Sequence, residues 1–138
     1  MADNNFKVEI ITPDRVFYTG EAEMIELTTV EGDMGIYKNH IPLTAVLAPG
    51  KVTIHQDEDL KIAAVHAGFV EILQDKVTLL AEVAEWPGEI DLNRAQAAKD
   101  RAEERLKDHL NETDVKRAEY ALRKALTRID VSDYRDDR

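Results

Sequence analysis

From Phe6 onward, apolar and polar positions alternate. Phe6, Val8 and Ile10 fall on one side of the chain, with Lys7 and Glu9 on the other. That is the period of two expected of a strand with one buried face. The pattern returns at Ile25 and Leu27, at Val52 and Ile54, at Leu60, Ile62 and Ala64, at Val70 and Ile72, and at Val77 and Leu79. Turn-forming residues separate these runs: Pro13-Asp14, Thr19-Gly20, Glu31-Gly32-Asp33, Pro49-Gly50, Asp57-Glu58-Asp59 and Gln74-Asp75. Short strands joined by tight turns, with no helical period between them, predict an antiparallel β-sandwich or barrel.

The period changes at Glu89-Ile90-Asp91-Leu92-Asn93-Arg94-Ala95. Trp86-Pro87-Gly88 ends the last strand, and the short Asp91 side chain suits the cap of a helix, accepting from its first free N–H groups. Beyond it, Ala95, Ala98, Ala102, Leu106 and Leu110 form one stripe at helical spacing, and Val115, Ala118, Leu122, Ala125 and Ile129 form another. The few residues around Asn111-Glu112-Thr113-Asp114 allow only a tight reversal, with Asn111 or Thr113 capping the second helix, so the two helices predict an antiparallel hairpin. Their facing surfaces are mostly alanine, which brings the axes close but buries little apolar area. The chain therefore divides into a β-sandwich over residues 1–87 and a helical hairpin over 88–138. Residues 130–138, charged and poor in apolar side chains, predict a frayed end.

Charge changes this picture more than composition does. The net charge of −10 disfavours a general nucleic-acid binder. Residues 1–90 hold 6 Lys and Arg against 16 Asp and Glu, whereas residues 91–129 hold 10 against 8, a basic arm on an acidic body. Arg94, Arg101 and Arg105 share one face of the first helix, and Lys124 and Arg128 share one face of the second. An antiparallel hairpin draws the two sets toward each other, an arrangement suited to a polyphosphate or a carboxylate-rich helix. The same positions also suit a solvated face pairing with Asp100 and Glu119.

With no cysteine, disulfides, thiolate metal sites and a cysteine nucleophile are excluded. No run approaches the roughly 18 apolar residues of a membrane span, and the first five residues carry no basic or apolar leader. Phosphate-loop, zinc-protease and nucleophile-elbow motifs are all missing. The four histidines, His40, His55, His66 and His109, are scattered and read as structural or solvated, and Asp57, Glu58 and Asp59 read as a solvated turn. Nothing in the chain looks catalytic, and no metal site or required cofactor is expected.

Three stretches carry a family resemblance: Val8-Glu9-Ile10-Ile11-Thr12-Pro13-Asp14; Gly32-Asp33-Met34-Gly35-Ile36 with His40-Ile41-Pro42-Leu43; and Gly68-Phe69-Val70-Glu71-Ile72. Together with Ile90-Asp91-Leu92-Asn93-Arg94-Ala95 and Lys116-Arg117-Ala118-Glu119, they make the chain similar, from Phe6 to about Val131, to the epsilon subunits of bacterial F-type ATP synthase. The resemblance implies a sandwich of about ten strands followed by the hairpin. It implies a non-catalytic subunit of the central stalk, coupling rotation to ATP synthesis in a proton- or sodium-translocating enzyme. The sandwich would grip the gamma subunit and rest on the c-subunit ring. The hairpin, folded on the sandwich or extended along gamma toward the alpha and beta subunits, would restrain ATP hydrolysis. The protein would then be peripheral, at the cytoplasmic face of the bacterial cell membrane.

The resemblance also implies a regulatory ATP site. Ile90, Asp91 and Ala95 would contact the adenine, Glu85 would lie at the polar edge of the nucleotide, Arg94 would support the loop, and Arg101 and Arg128 would meet the phosphates. Lys124 stands where the tightest binders have an arginine, which implies weaker, less bidentate phosphate contact. A free-standing ATP-sensing module without a rotary partner is the rival organisation, and co-purification with a gamma subunit distinguishes the two.

Overall fold

The computed structural model describes residues 4–108 and 111–134. Leu110 of the first stripe, His109 and the last four residues of the expected tail lie outside the described residues. Among the described residues eight strands precede two helices: β1 (Phe6–Ile11), β2 (Val16–Ala22), β3 (Met24–Thr29), β4 (Gly32–Tyr37), β5 (Leu43–Val46), β6 (Gly50–Gln56), β7 (Asp59–Ile72) and β8 (Lys76–Glu85), then α1 (Leu92–Leu106) and α2 (Glu112–Ser132).

The expected sandwich is present, with eight strands rather than about ten. One reason is that Leu60-Ile62-Ala64 and Val70-Ile72, which read as separate strands, belong to the single 14-residue β7. That strand is bent at Ala67 and Gly68, both at positive φ (62° and 118°). A Cβ on Gly68 would strike the Leu80 carbonyl oxygen, so glycine is the residue that lets β7 turn while staying paired with β8. Before the bend β7 pairs with β6, and after it with β5. One continuous ladder, β2-β1-β8-β7-β6-β3-β4, thus folds over on itself into two layers.

All strand pairs are antiparallel except β1 with β8. These two are remote in sequence, so no tight turn dictates their relative direction. Thr19-Gly20, which reads as a turn, lies inside β2. The inward side chains are those that the alternation selects. Phe6, Val8 and Ile10 meet Ile25, Leu27, Ile36, Val52, Ile54, Val70, Ile72, Val77 and Leu79 in one core, with Trp86 against its edge.

Asp91 caps α1, its carboxylate accepting from Arg94 N at 3.1 Å. Asn111 takes the corresponding role for α2, accepting from Asp114 N at 2.9 Å. Ala95 and Ala102 of α1 and Ala118 and Ala125 of α2 are buried. The expected fraying from residue 130 is corrected: α2 continues to Ser132 because Val131 is fully buried, in a second small cluster with Ala64 and Ile90, flanked by Ile62.

Candidate functional site

Every second residue of β7 before its bend, Ile62, Ala64 and His66, turns away from the main core. Ala64 is opposite Glu85 of β8. This small face of the sheet receives the C-terminal part of α2. Apolar contact comes from Ala64, Ile90 and Val131. Charge comes from Glu85, whose Oε1 accepts from Arg128 Nε at 2.7 Å in a half-buried pair. Further along, Lys51 of β6 donates to the Tyr134 hydroxyl at 3.1 Å and lies 3.8 Å from Asp130. The Tyr134 hydroxyl, and more weakly Asp130, hold the Lys51 ammonium above its ordinary pKa against the opposing effect of burial.

His66 sits at the centre of this seam, 2% exposed, and neither ring nitrogen makes a hydrogen bond among the described residues. Its Nε2 lies 3.6 Å from Glu85 Oε1, too long for a hydrogen bond but close enough for charge to be felt. Burial pushes the imidazole pKa down. Glu85 opposes that shift, whereas Arg128 and Lys124 reinforce it. Burial by itself would raise the Glu85 pKa, but His66 and Arg128 together hold it below the ordinary carboxylate range.

The joint to the helices is fastened separately. Trp86 stacks on Phe17, ring centroids 4.2 Å apart, and meets Tyr18 edge-on at 6.1 Å. A short 3₁₀ turn follows over Pro87–Glu89. Arg15 grips both oxygens of Glu89 at 2.8 and 2.9 Å, and Glu89 also accepts from Trp86 N at 2.9 Å. The Arg15 guanidinium is the main cause of the lowered Glu89 pKa. Both partners are more than a third exposed, so the pair is screened by solvent and serves chiefly to orient the chain.

Of the eight residues expected to form a nucleotide site, Glu85 and Arg128 are in direct contact. Ile90 is buried in the seam, Asp91 is the α1 cap, Ala95 is buried in the first turn of α1 and Arg94 is exposed. Lys124 lies 5.3 Å over the Tyr120 ring, on the side of α2 whose field reaches His66. Arg101 and Arg105 line a groove between the helices with Ala98, Ala102, Ala118 and Ala121. Ala121 lies seven residues before Arg128, roughly 10 Å along the helix axis. In this docked arrangement Arg101 and Arg128 therefore have different neighbours.

Sequence reasoning did not place His66 in this cluster. The available signal was its register on the face of Ile62 and Ala64. It also missed an apolar row on the outer face of the sandwich. Val46 pairs with Phe69, Phe69 with Leu80, Leu80 with Ile11, and Ile11 with Val16, across β5, β7, β8, β1 and β2. Val46, Phe69, Leu80 and Val16 are 45, 53, 51 and 61% exposed. The next row on the same face, Thr44, Glu71, Thr78, Glu9 and Thr19, is polar. At about 4.8 Å per strand the apolar row is roughly 19 Å wide. Among the described residues, no helix is long and apolar enough to cross a membrane.

Residues 5–87 match the family model for the ATP synthase delta/epsilon chain β-sandwich domain, and residues 89–133 match the model for its long α-helix domain. The ATP synthase epsilon chain of Halalkalibacterium halodurans is 47% identical over 126 residues, covering 91% of this chain and 95% of the relative. That of Brevibacillus brevis is 50% identical over 127 residues, covering 91 and 96%. A chain in a cryo-EM structure of the Euglena gracilis mitochondrial ATP synthase, comprising OSCP, F1 and the c-ring in rotational state 1, superposes with a TM-score of 0.78 at 20% identity. The match covers 91% of this chain and 79% of that one, and it supports the fold alone. The two halves read from the change of period, the capped joint between them and the relatives matched over nearly their whole length agree: this chain belongs to the ATP synthase delta/epsilon chain family, as an epsilon chain, a non-catalytic subunit of ATP synthase.

Proposed function

We propose that the chain works in the central stalk of a bacterial ATP synthase, at the cytoplasmic face of the membrane, where its sandwich holds the gamma subunit against the c-ring and its hairpin moves to regulate ATP hydrolysis. The observation that carries this reading is the exposed row Val46-Phe69-Leu80-Ile11-Val16. A sandwich already closed around its own core has no internal use for five apolar side chains in register on its outer face, and such a row suits a permanent partner.

The boundary near residue 87 separates two tasks. The sandwich core draws on β1 to β8 and Trp86, whereas the hairpin is held through the smaller cluster of Ala64, Ile90 and Val131 and a few ion pairs. A chain ending at residue 87 is expected to keep its β circular dichroism and its assembly with gamma, and to lose the helical signal. In the assembled enzyme it is expected to raise ATP hydrolysis while leaving synthesis coupled. Equal hydrolysis with and without residues 88–138 would remove the inhibitory role, and an unfolded truncated chain would contradict the two-part organisation.

The regulatory ATP site belongs to the same reading. Asp91, Ile90 and Ala95 stand at the joint, Arg128 reaches Glu85 of the sheet with Lys124 one turn before it on α2, and Arg101 lines the groove between the helices. A triphosphate would share Arg128 with Glu85, and Lys124 supplies a compact charge rather than a bidentate fork. Isothermal titration is expected to show ATP binding without turnover. Arg101→Ala and Arg128→Ala are each expected to weaken it about tenfold or more, and Lys124→Arg to strengthen it. At ten times its dissociation constant, a ligand specific for the docked hairpin shifts the balance by about 1.4 kcal/mol, enough to switch a nearly even equilibrium. No heat of binding at millimolar ATP would overturn the site.

A further inference from the structure

The buried, unpaired imidazole in the seam between α2 and the sheet has no part in the nucleotide reading. We propose that His66 makes hairpin docking proton-sensitive: on taking up a proton it replaces Arg128 as the counter-ion of Glu85 and releases the end of α2 from the sheet. This deepens the mobile-hairpin reading above and rests on it.

The geometry places one carboxylate between Arg128, which holds it by a hydrogen bond, and the imidazole of His66. Glu85 Oε1 is 2.7 Å from Arg128 Nε and 3.6 Å from His66 Nε2. With α2 docked, His66 is 2% exposed and both ring nitrogens lack a hydrogen bond among the described residues, so a charge on the ring would be poorly solvated, with only Glu85 at 3.6 Å to offset its burial. The charged groups whose fields reach it are Glu85 from β8 and Arg128 and Lys124 from α2, and the two α2 cations oppose its protonation. From β6, Lys51 is turned to Tyr134 and Asp130, and Glu89 of the 3₁₀ turn is held by Arg15. Undocking removes Arg128 and Lys124 and opens the ring to water beside a free Glu85 carboxylate. Release therefore takes up one proton.

The direction follows from linkage. The His66 pKa is lower docked than released, so docking is fully favoured above the ordinary histidine value of about 6.5. As pH falls from there toward the docked pKa, the docked-to-released ratio drops, by at most tenfold per unit for a single proton. Glu85, also held low when docked, begins to weaken docking only in the more acidic carboxylate range. Between these ranges the response belongs to His66.

Two measurements on the full chain test this. The first is an NMR titration of the histidines in the wild type and in Arg128→Ala: His66 is expected to titrate below an ordinary histidine, and to move up when Arg128 is removed. A His66 value at or above the ordinary one, or one unchanged by Arg128→Ala, overturns the proposal. The second uses the absence of native cysteine. Spin labels on Glu58→Cys, in the β6–β7 turn, and Glu119→Cys, on α2, report docked and released distances between pH 5 and 8. The released-to-docked ratio is expected to be flat above about pH 6.5 and to grow as pH falls below it in the wild type, and to be flat throughout this window for His66→Gln and His66→Phe. If Arg128→Ala releases the hairpin but the pH profile is the same with and without His66, the proton switch falls and the mobile hairpin stands. If the hairpin stays docked at every pH even in Arg128→Ala, the mobile-hairpin reading falls and the switch with it.

Discussion

Gly68→Ala is expected to destabilise the sandwich by about 3 kcal/mol or more, lowering the melting temperature by roughly 10 °C. Two costs combine at this position. The backbone has φ of 118°, which L residues rarely adopt, and the new Cβ would meet the Leu80 carbonyl oxygen and the Ala81 Cα of the paired strand. Neither obstacle is a flexible side chain, so relief requires β7 and β8 to separate at the bend where the layers divide. Gly32→Ala is the control. It has a similar φ of 129°, but nothing lies within 4 Å of its Cβ, so only the conformational cost of about 1–2 kcal/mol applies. Denaturant midpoints of the two variants measure the difference. Equal destabilisation would mean that the close approach of Gly68 to β8 contributes nothing.

Phe69→Glu combined with Leu80→Glu is expected to abolish stable assembly with the gamma subunit, with at least a hundredfold loss of affinity, while the isolated protein stays folded. Both side chains are half exposed and adjacent in register at the middle of the apolar row. A docked partner would desolvate two carboxylates placed side by side in an apolar row. In the free protein the same carboxylates remain hydrated, so the fold is expected to persist with a cost of about 1–2 kcal/mol from the lost apolar contact and the like charges facing each other across β7 and β8. Co-purification and sedimentation with gamma provide the readout. Normal assembly of the double variant would show that gamma docks elsewhere, leaving the row without its proposed partner.

The pattern of side chains determined the division into sandwich and hairpin because both periods are local properties. Phe6, Val8 and Ile10 are inward for the same reason that Lys7 and Glu9 are outward, and Asp91 caps α1 through an N–H only three residues away. Strand count and layering were not local. Whether Leu60 to Ile72 is one strand or two depends on which neighbours pair on either side of Ala67 and Gly68. Edge strands β2 and β4 lacked a clean alternation because their outer sides need not be sealed.

The functional surfaces divided in the same way. Glu85, Ile90, Asp91 and Ala95 could be named as site residues only through the family resemblance, whereas the spacing of Arg128 from Lys124 and the cap position of Asp91 are local features of the chain. The outer apolar row was present in the sequence only as doublets, Ile10-Ile11, Phe69-Val70 and Leu79-Leu80, in which one member is core and the other has no apparent use. Register across five strands turns those spare members into a continuous surface. His66 is the clearest case. Its strand position put it on the face of Ile62 and Ala64, but the approach of α2, carrying Arg128 and Lys124 from more than fifty residues away, decided that it would be dry, unpaired and surrounded by charge. Side-chain direction is set within a few bonds of the backbone, whereas burial and electric field are set by whatever the rest of the chain brings alongside.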